Sequence, residues 1–146
     1  MNKTFILILV FLVGMILVPQ HTYAQVDFNK RPDDDLGNVE DEFQEYFFEA
    51  LKQKGIENYD RAVDALHKCL NLNSKLPVIY FELGKNYNKL KNFGAAEENL
   101  KKAIEMQPDN VWFLDELYDV YFQQDDIKNA LKTIKQLVKY HPDYKE

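Results

Sequence analysis

The chain has 146 residues, of which 46% are hydrophobic and 29% charged, with a formal net charge of −6 and a single cysteine. That length supports one domain with a continuous core. The negative balance argues against nucleic acid and anionic membrane surfaces, which want a basic patch, and one cysteine excludes an internal disulfide.

Lys3 precedes an apolar run from Phe5 to Val18, followed by polar Gln20, His21 and Thr22 and then Tyr23-Ala24-Gln25. A short positive start, an apolar stretch short of the roughly 20 residues of a membrane span, and small residues at Thr22 and Ala24 describe a secretory signal peptide. Residues 1–24 are therefore expected to be removed by cleavage after Ala24. No cysteine stands near that point, so no lipid-modified terminus is expected. The product is expected to be exported, to the periplasm or outside the cell. Without Lys3 it carries 17 basic against 24 acidic residues, a net charge of −7.

Residues 25–42 include Arg31-Pro32-Asp33-Asp34-Asp35-Leu36-Gly37-Asn38. Charge, Pro and Gly leave little to bury, so the segment is expected to be a flexible acidic arm, its carboxylates solvated rather than metal-binding. Val26 and Phe28 are its apolar handles, able to fold back onto the first hairpin.

From residue 39 onward the apolar residues recur at helical spacing. A first helix is expected over Val39 to Lys54, with Asn38 as its N-cap, and a second from Tyr59 to Leu72. The stretch PVIYFELGKNYNKLKNFGAAEENLKKAIEMQPDN (77–110) shows the pattern most clearly. Tyr80, Leu83, Gly84 and Tyr87 mark one helix; Ala95, Ala96, Leu100, Ala103 and Ile104 mark the next; Pro108 stops it. The pair forms an αα-hairpin. A shift of 34 residues brings Leu83 onto Leu117, Tyr87 onto Tyr121, Ala96 onto Ala130 and Ala62, Leu100 onto Leu66, and Pro108 onto Pro142. A fixed period of this kind marks a solenoid. Asn58, Asn92 and Asp126 stand one period apart where second helices begin, as N-caps would. Small residues at Ala50, Ala62, Cys69, Gly84, Ala96 and Ala103 let paired helices approach closely. Cys69 is thus expected to be a packed core residue.

The spacing Tyr80-x2-Leu83-Gly84-x2-Tyr87 followed by Ala96-x3-Leu100-x2-Ala103-x4-Pro108 resembles the tetratricopeptide repeat. Tyr80 occupies the family's Trp position and Leu100 its Phe position. The resemblance spans Phe43 to Tyr144 in three registered copies, over residues 43–76, 77–110 and 111–144. It implies an all-α fold, an α-α superhelix of three helix-turn-helix repeats and six helices after the signal peptide and arm. It also implies a binding scaffold without catalytic chemistry, with no cofactor and no small-molecule substrate, whose partner is a protein or peptide.

In that family the first helices line the concave face. By register the lining begins with Gln44, Phe47, Phe48, Leu51 and Lys54, continues with Val78, Phe81, Glu82, Lys85, Asn88 and Lys89, and ends with Trp112, Asp115, Glu116, Asp119 and Phe122. The expected contact set is Phe47, Leu51, Phe81, Lys85, Asn88, Lys89, Asp115, Asp119 and Phe122: an apolar start, a basic middle and an acidic end. A peptide with an apolar anchor beside charges would suit it. Some members clamp a terminal carboxylate with a Lys/Asn set, but the matching first-repeat positions here hold Phe and Leu, so that clamp is not carried over.

The third repeat departs from the pattern, with Tyr118 where Gly84 stood and Leu137 where Ala103 stood. After Tyr144-Lys145-Glu146 no further helix shields it, so Leu131, Ile134, Leu137, Val138 and Tyr140 are expected to be short of partners. Two alternatives arise: a structural homo-oligomer joined through this hairpin, or the front of a longer array. An enzyme is the competing class. Only His67 and His141 remain after cleavage, and HExxH, GxSxG, CxxC and phosphate-cradling Gly loops are absent from the sequence.

Overall fold

The computed structural model describes residues 35–143. The signal-peptide reading, Val26 and Phe28 lie outside them. Six helices succeed one another: α1 (Asp35–Gly55), α2 (Tyr59–Leu72), α3 (Pro77–Lys89), α4 (Phe93–Met106), α5 (Val111–Gln123) and α6 (Ile127–Tyr140). Each consecutive pair packs as a hairpin, and α2 against α3 and α4 against α5 join the hairpins into one stack. There is no strand among the described residues. This is the helical solenoid that the 34-residue period predicts.

The period is written into the backbone as well as the side chains. Glu57, Lys91 and Asp125 have φ values of 60°, 57° and 56°, left-handed residues one period apart. In each turn the next amide reaches back five residues: Asn58 N to Gln53 O at 2.8 Å, Asn92 N to Tyr87 O at 2.9 Å, Asp126 N to Tyr121 O at 3.0 Å. With the shorter bonds Glu57 N to Lys54 O, Lys91 N to Asn88 O and Asp125 N to Phe122 O, these are three Schellman closures. None uses the glycine that such a site favours, so each turn holds its shape against a local cost of about 1 kcal/mol.

The residue after each turn starts the second helix. Asn92 Oδ1 accepts from Ala95 N at 3.3 Å and Asp126 Oδ1 from Asn129 N at 3.1 Å. Asn58 corrects the expectation, because its side chain makes no capping bond; its carbonyl still accepts from Ala62 N. A cap that the period does not mark stands at Asn110, whose Oδ1 accepts from Trp112 N at 3.1 Å.

α1 is the larger correction. It begins at Asp35, so residues 35–42 are helical rather than a flexible arm, and Asn38 lies within the helix rather than capping it. Once a helix is nucleated on Phe43, Tyr46 and Phe47, which pack on the first core, extending it backwards costs little per residue. The periodic signal that marks a helix needs buried residues, and this stretch offers few.

The core is built from small residues opposite large ones. Ala62, Cys69, Ile79, Leu83, Ala96, Leu100 and Ala103 are fully buried. Cys69 is packed as expected, and burial pushes its thiol pKa upward. Gly84 sits under Leu100: a Cβ there would lie 2.5 Å from Leu100 Cγ and 2.8 Å from Cδ2. One period on, Tyr118 replaces that glycine, and Ile134 at the Leu100 position is only half-buried. Leu137 is a correction: it is 2% exposed and belongs to the third hairpin's interior, not to a bare stripe. Leu131, Val138 and Tyr140 do stand in solvent, at 56%, 45% and 41% exposure.

Candidate partner-binding face

The first helices form one surface because polar struts tie them together. Lys54 Nζ lies 2.6 Å from Glu82 Oε2, joining α1 to α3. Asn88 Nδ2 donates to Glu116 Oε1 at 2.9 Å, joining α3 to α5. Lys54 and Asn88 are one period apart, as are Glu82 and Glu116, so the same strut is built twice with different donors. α3 and α5 also touch directly. Both struts are well shielded, since Glu82 is 8% and Asn88 5% exposed, so breaking one would leave a buried polar group without its partner.

This arrangement sorts the expected contact residues. Phe47 is half-buried and stacked on Phe43, with ring centroids 5.9 Å apart. Leu51 is half-buried on the same helix. Phe81 is half-buried with its ring 4.8 Å from that of Phe113, and Lys85 Nζ stands 5.1 Å from the Phe81 ring centroid. Lys89 and Asp119 are exposed and Asp115 is half-buried. Phe122 is 58% exposed and stacks on Tyr118 at 5.8 Å. Asn88 is placed as a strut, its amide spent on Glu116, rather than at the surface. Phe48, 66% exposed, is a larger apolar surface than either Phe47 or Leu51.

Charge is uneven along this row. The Asp119 carboxyl is pushed above the usual aspartate range by partial burial, and then by Glu116 and Asp115, while Lys89 pulls it back. The acidic end is therefore crowded with like charge, and Lys89 sits within its field. Such a gradient suits a ligand that places a cation at the α5 end and an apolar side chain toward α1.

Register alone puts Lys54, Glu82 and Glu116 among the lining residues but does not reveal that they pair. The signal was present: positions 54/88/122 and 82/116 repeat with the period, and 54/82 and 88/116 carry complementary donors and acceptors. Among the described residues, no group of three or more His, Cys, Asp or Glu side chains is placed to hold a metal ion.

The family model described as tetratricopeptide repeat matches residues 88–146. Dynein axonemal assembly factor 4 of Rattus norvegicus is 41% identical over 61 residues, covering 38% of this chain and 14% of that protein; the Pongo pygmaeus protein is 38% identical over 63 residues, covering 40% and 15%. This chain thus spans only a small part of the length of the curated relatives it matches. Similar solved structures include the first TPR of Spaghetti (RPAP3) bound to the HSP90 peptide SRMEEVD. It has a TM-score of 0.65 and 18% identity, over 71% of this chain and 82% of that one. The Arabidopsis OM64 TPR domain has a TM-score of 0.66 and 18% identity, over 74% and 88%. The TPR2B-domain:pHsp70 complex of yeast Sti1 has a TM-score of 0.64 and 19% identity, over 68% and 79%. At these identities the structures speak for the fold. Three hairpins in one register, the matching repeat model and this shared fold make the chain a tetratricopeptide-repeat protein.

Proposed function

We propose that the chain is a non-catalytic scaffold of the cell envelope, exported by a cleaved signal peptide, that holds a peptide or protein on the face formed by α1, α3 and α5. One observation carries the reading: two buried struts lock the three helices together while leaving Phe81 and Lys85, Lys89, Asp119 and Phe122 in or near solvent beside them. A pre-organised row of aromatic and charged groups is what a polypeptide ligand uses, because little entropy is lost in ordering it. Two similar folds, of RPAP3 and Sti1, are solved with HSP90 and pHsp70 ligands, which supports a peptide or protein as the class of partner. The export reading rests on the run from Phe5 to Val18 and the small residues at Thr22 and Ala24.

The test is crosslinked capture from native envelope with mature protein and its Lys85→Glu/Lys89→Glu variant. Loss of capture by the folded variant is expected; equal capture would overturn the assignment of the face. Amino-terminal sequencing of the purified protein should start at Gln25.

A second reading is self-association through the last hairpin, favoured by the 56% and 45% exposure of Leu131 and Val138 on α6. It predicts a concentration-dependent mass, and a constant monomer mass up to high micromolar concentration removes it.

A further inference from the structure

At the edge of the third hairpin the start of α5 and the segment leaving α6 enclose a cleft of about 490 Å³, lined by Val111, Trp112, Asp115, Tyr140, His141, Pro142 and Asp143. Its walls are fixed from both sides. Asn110 caps α5 through Trp112 N. His141 N bonds to Leu137 O at 2.8 Å, closing α6, and Pro142 cannot continue the helix. The His141 ring then donates Nε2–H to the carbonyl of Asp109, drawing the segment after α6 against the turn before α5.

The side chains in this cleft differ in kind from their counterparts one period earlier. Trp112 replaces Val78, Asp115 replaces Phe81 and Tyr140 replaces Met106, so an apolar set gives way to two aromatic rings and a carboxylate, with Asp143 adding a second. The exposure of these positions is not a by-product of an open array end. Val78 and Met106 belong to the middle hairpin, which has neighbours on both sides, yet they are 39% and 41% exposed. Trp112 goes further, at 69%, with Tyr140 at 41%. An indole left in water at that level, facing a phenol and two carboxylates, is the composition that attracts a cation: π-faces and negative charge act together on the same guest. The like-charge crowding around Asp115, Glu116 and Asp119 acts in the same sense.

We propose that this cleft receives a lysine or arginine side chain of the bound polypeptide, with the aliphatic stem against Trp112 and Tyr140 and the cationic head between Asp115 and Asp143. The proposal rests on the reading of the chain as a polypeptide scaffold and supplies the chemistry of one contact.

Trp112 is the only tryptophan of the sequence, so its fluorescence reports the cleft without a label. Mature protein is titrated with Ac-Gly-Arg-Gly-amide, and in parallel with the citrulline peptide, which keeps the shape of arginine and loses its charge. Expected is a saturable change in Trp112 emission with arginine, at roughly millimolar half-saturation, and no saturable change with citrulline. Asp143→Asn should weaken the arginine response about two- to fivefold, and Tyr140→Leu should weaken it as well. Circular dichroism of both variants should match the parent. An equal response to citrulline, or an arginine response that Asp143→Asn leaves unchanged, overturns the proposal. Should the cleft fail while capture still depends on Lys85 and Lys89, only the cleft is lost and the scaffold reading stands.

Discussion

Gly84 offers the sharpest energetic test of the repeat register. The Cβ of Gly84→Ala would lie 2.5 Å and 2.8 Å from two carbons of Leu100 and 3.3 Å from the Ala96 carbonyl oxygen, well inside the 3.5–4.0 Å of ordinary carbon contacts. Leu100 is fully buried and has nowhere free to swing. Overpacking of this kind costs about 1–3 kcal/mol, while replacing a mid-helix glycine returns about 0.5–1 kcal/mol. The net for Gly84→Ala is then a loss of about 1 kcal/mol, or ~4 °C in Tm for a domain of this size. Gly84→Leu should lose about 3 kcal/mol, the upper end of that overpacking range. Leu100→Ala alone should cost about 2–5 kcal/mol by opening a cavity. The Gly84→Leu/Leu100→Ala double variant moves the bulk from one helix to the other, much as Tyr118 and Ile134 do one repeat later. Urea unfolding should show it more stable than the two losses summed, by about 1–3 kcal/mol. Strict additivity, or a Gly84→Leu protein as stable as the parent, would refute the close approach of α3 and α4.

Other consequences are open to direct measurement. Lys91→Gly should stabilise the protein by about 0.5–1 kcal/mol in urea unfolding, because Lys91 holds φ 57° at a site glycine occupies without strain. Asn110→Ala should cost about 1 kcal/mol in the same assay through loss of the α5 cap. Lys54→Met should cost about 1–2 kcal/mol, since it leaves Glu82, 8% exposed, without its cation. The Asp126 carboxylate is held below the usual aspartate range first by the Asn129 backbone amide and then by its side chain. Its contribution is complete above that range and disappears as pH falls through the lowered value. Asp126→Asn should therefore flatten the acid limb of a Tm-against-pH curve while leaving its neutral part nearly unchanged.

The hairpins were legible in the sequence because a solenoid repeats its burial pattern, and burial is what hydrophobic spacing records. Ala62, Leu66, Leu83, Ala96, Leu100, Ala103 and Ala130 all lie where the period puts them. The start of α1 was not legible, because its first residues carry charge and glycine instead of a periodic apolar mark. Leu137 was misread for the opposite reason. Register equates it with small Ala103, yet the third hairpin accommodates the larger side chain and buries it. The candidate face was legible as a list of positions and not as a mechanism, since the Lys54–Glu82 and Asn88–Glu116 struts decide which of those residues are spent on structure. The Trp112 cleft escaped notice because its two halves stand at opposite ends of the third hairpin's sequence, and the bond from His141 to Asp109 brings them together.

The central claim is that the face of α1, α3 and α5 holds a polypeptide. A photo-reactive amino acid placed at Lys85 on α3, and separately at Glu105 on α4, tests it in the native cell. The account predicts a discrete crosslinked adduct from position 85 and none from position 105. An adduct from 105 with none from 85 would contradict it.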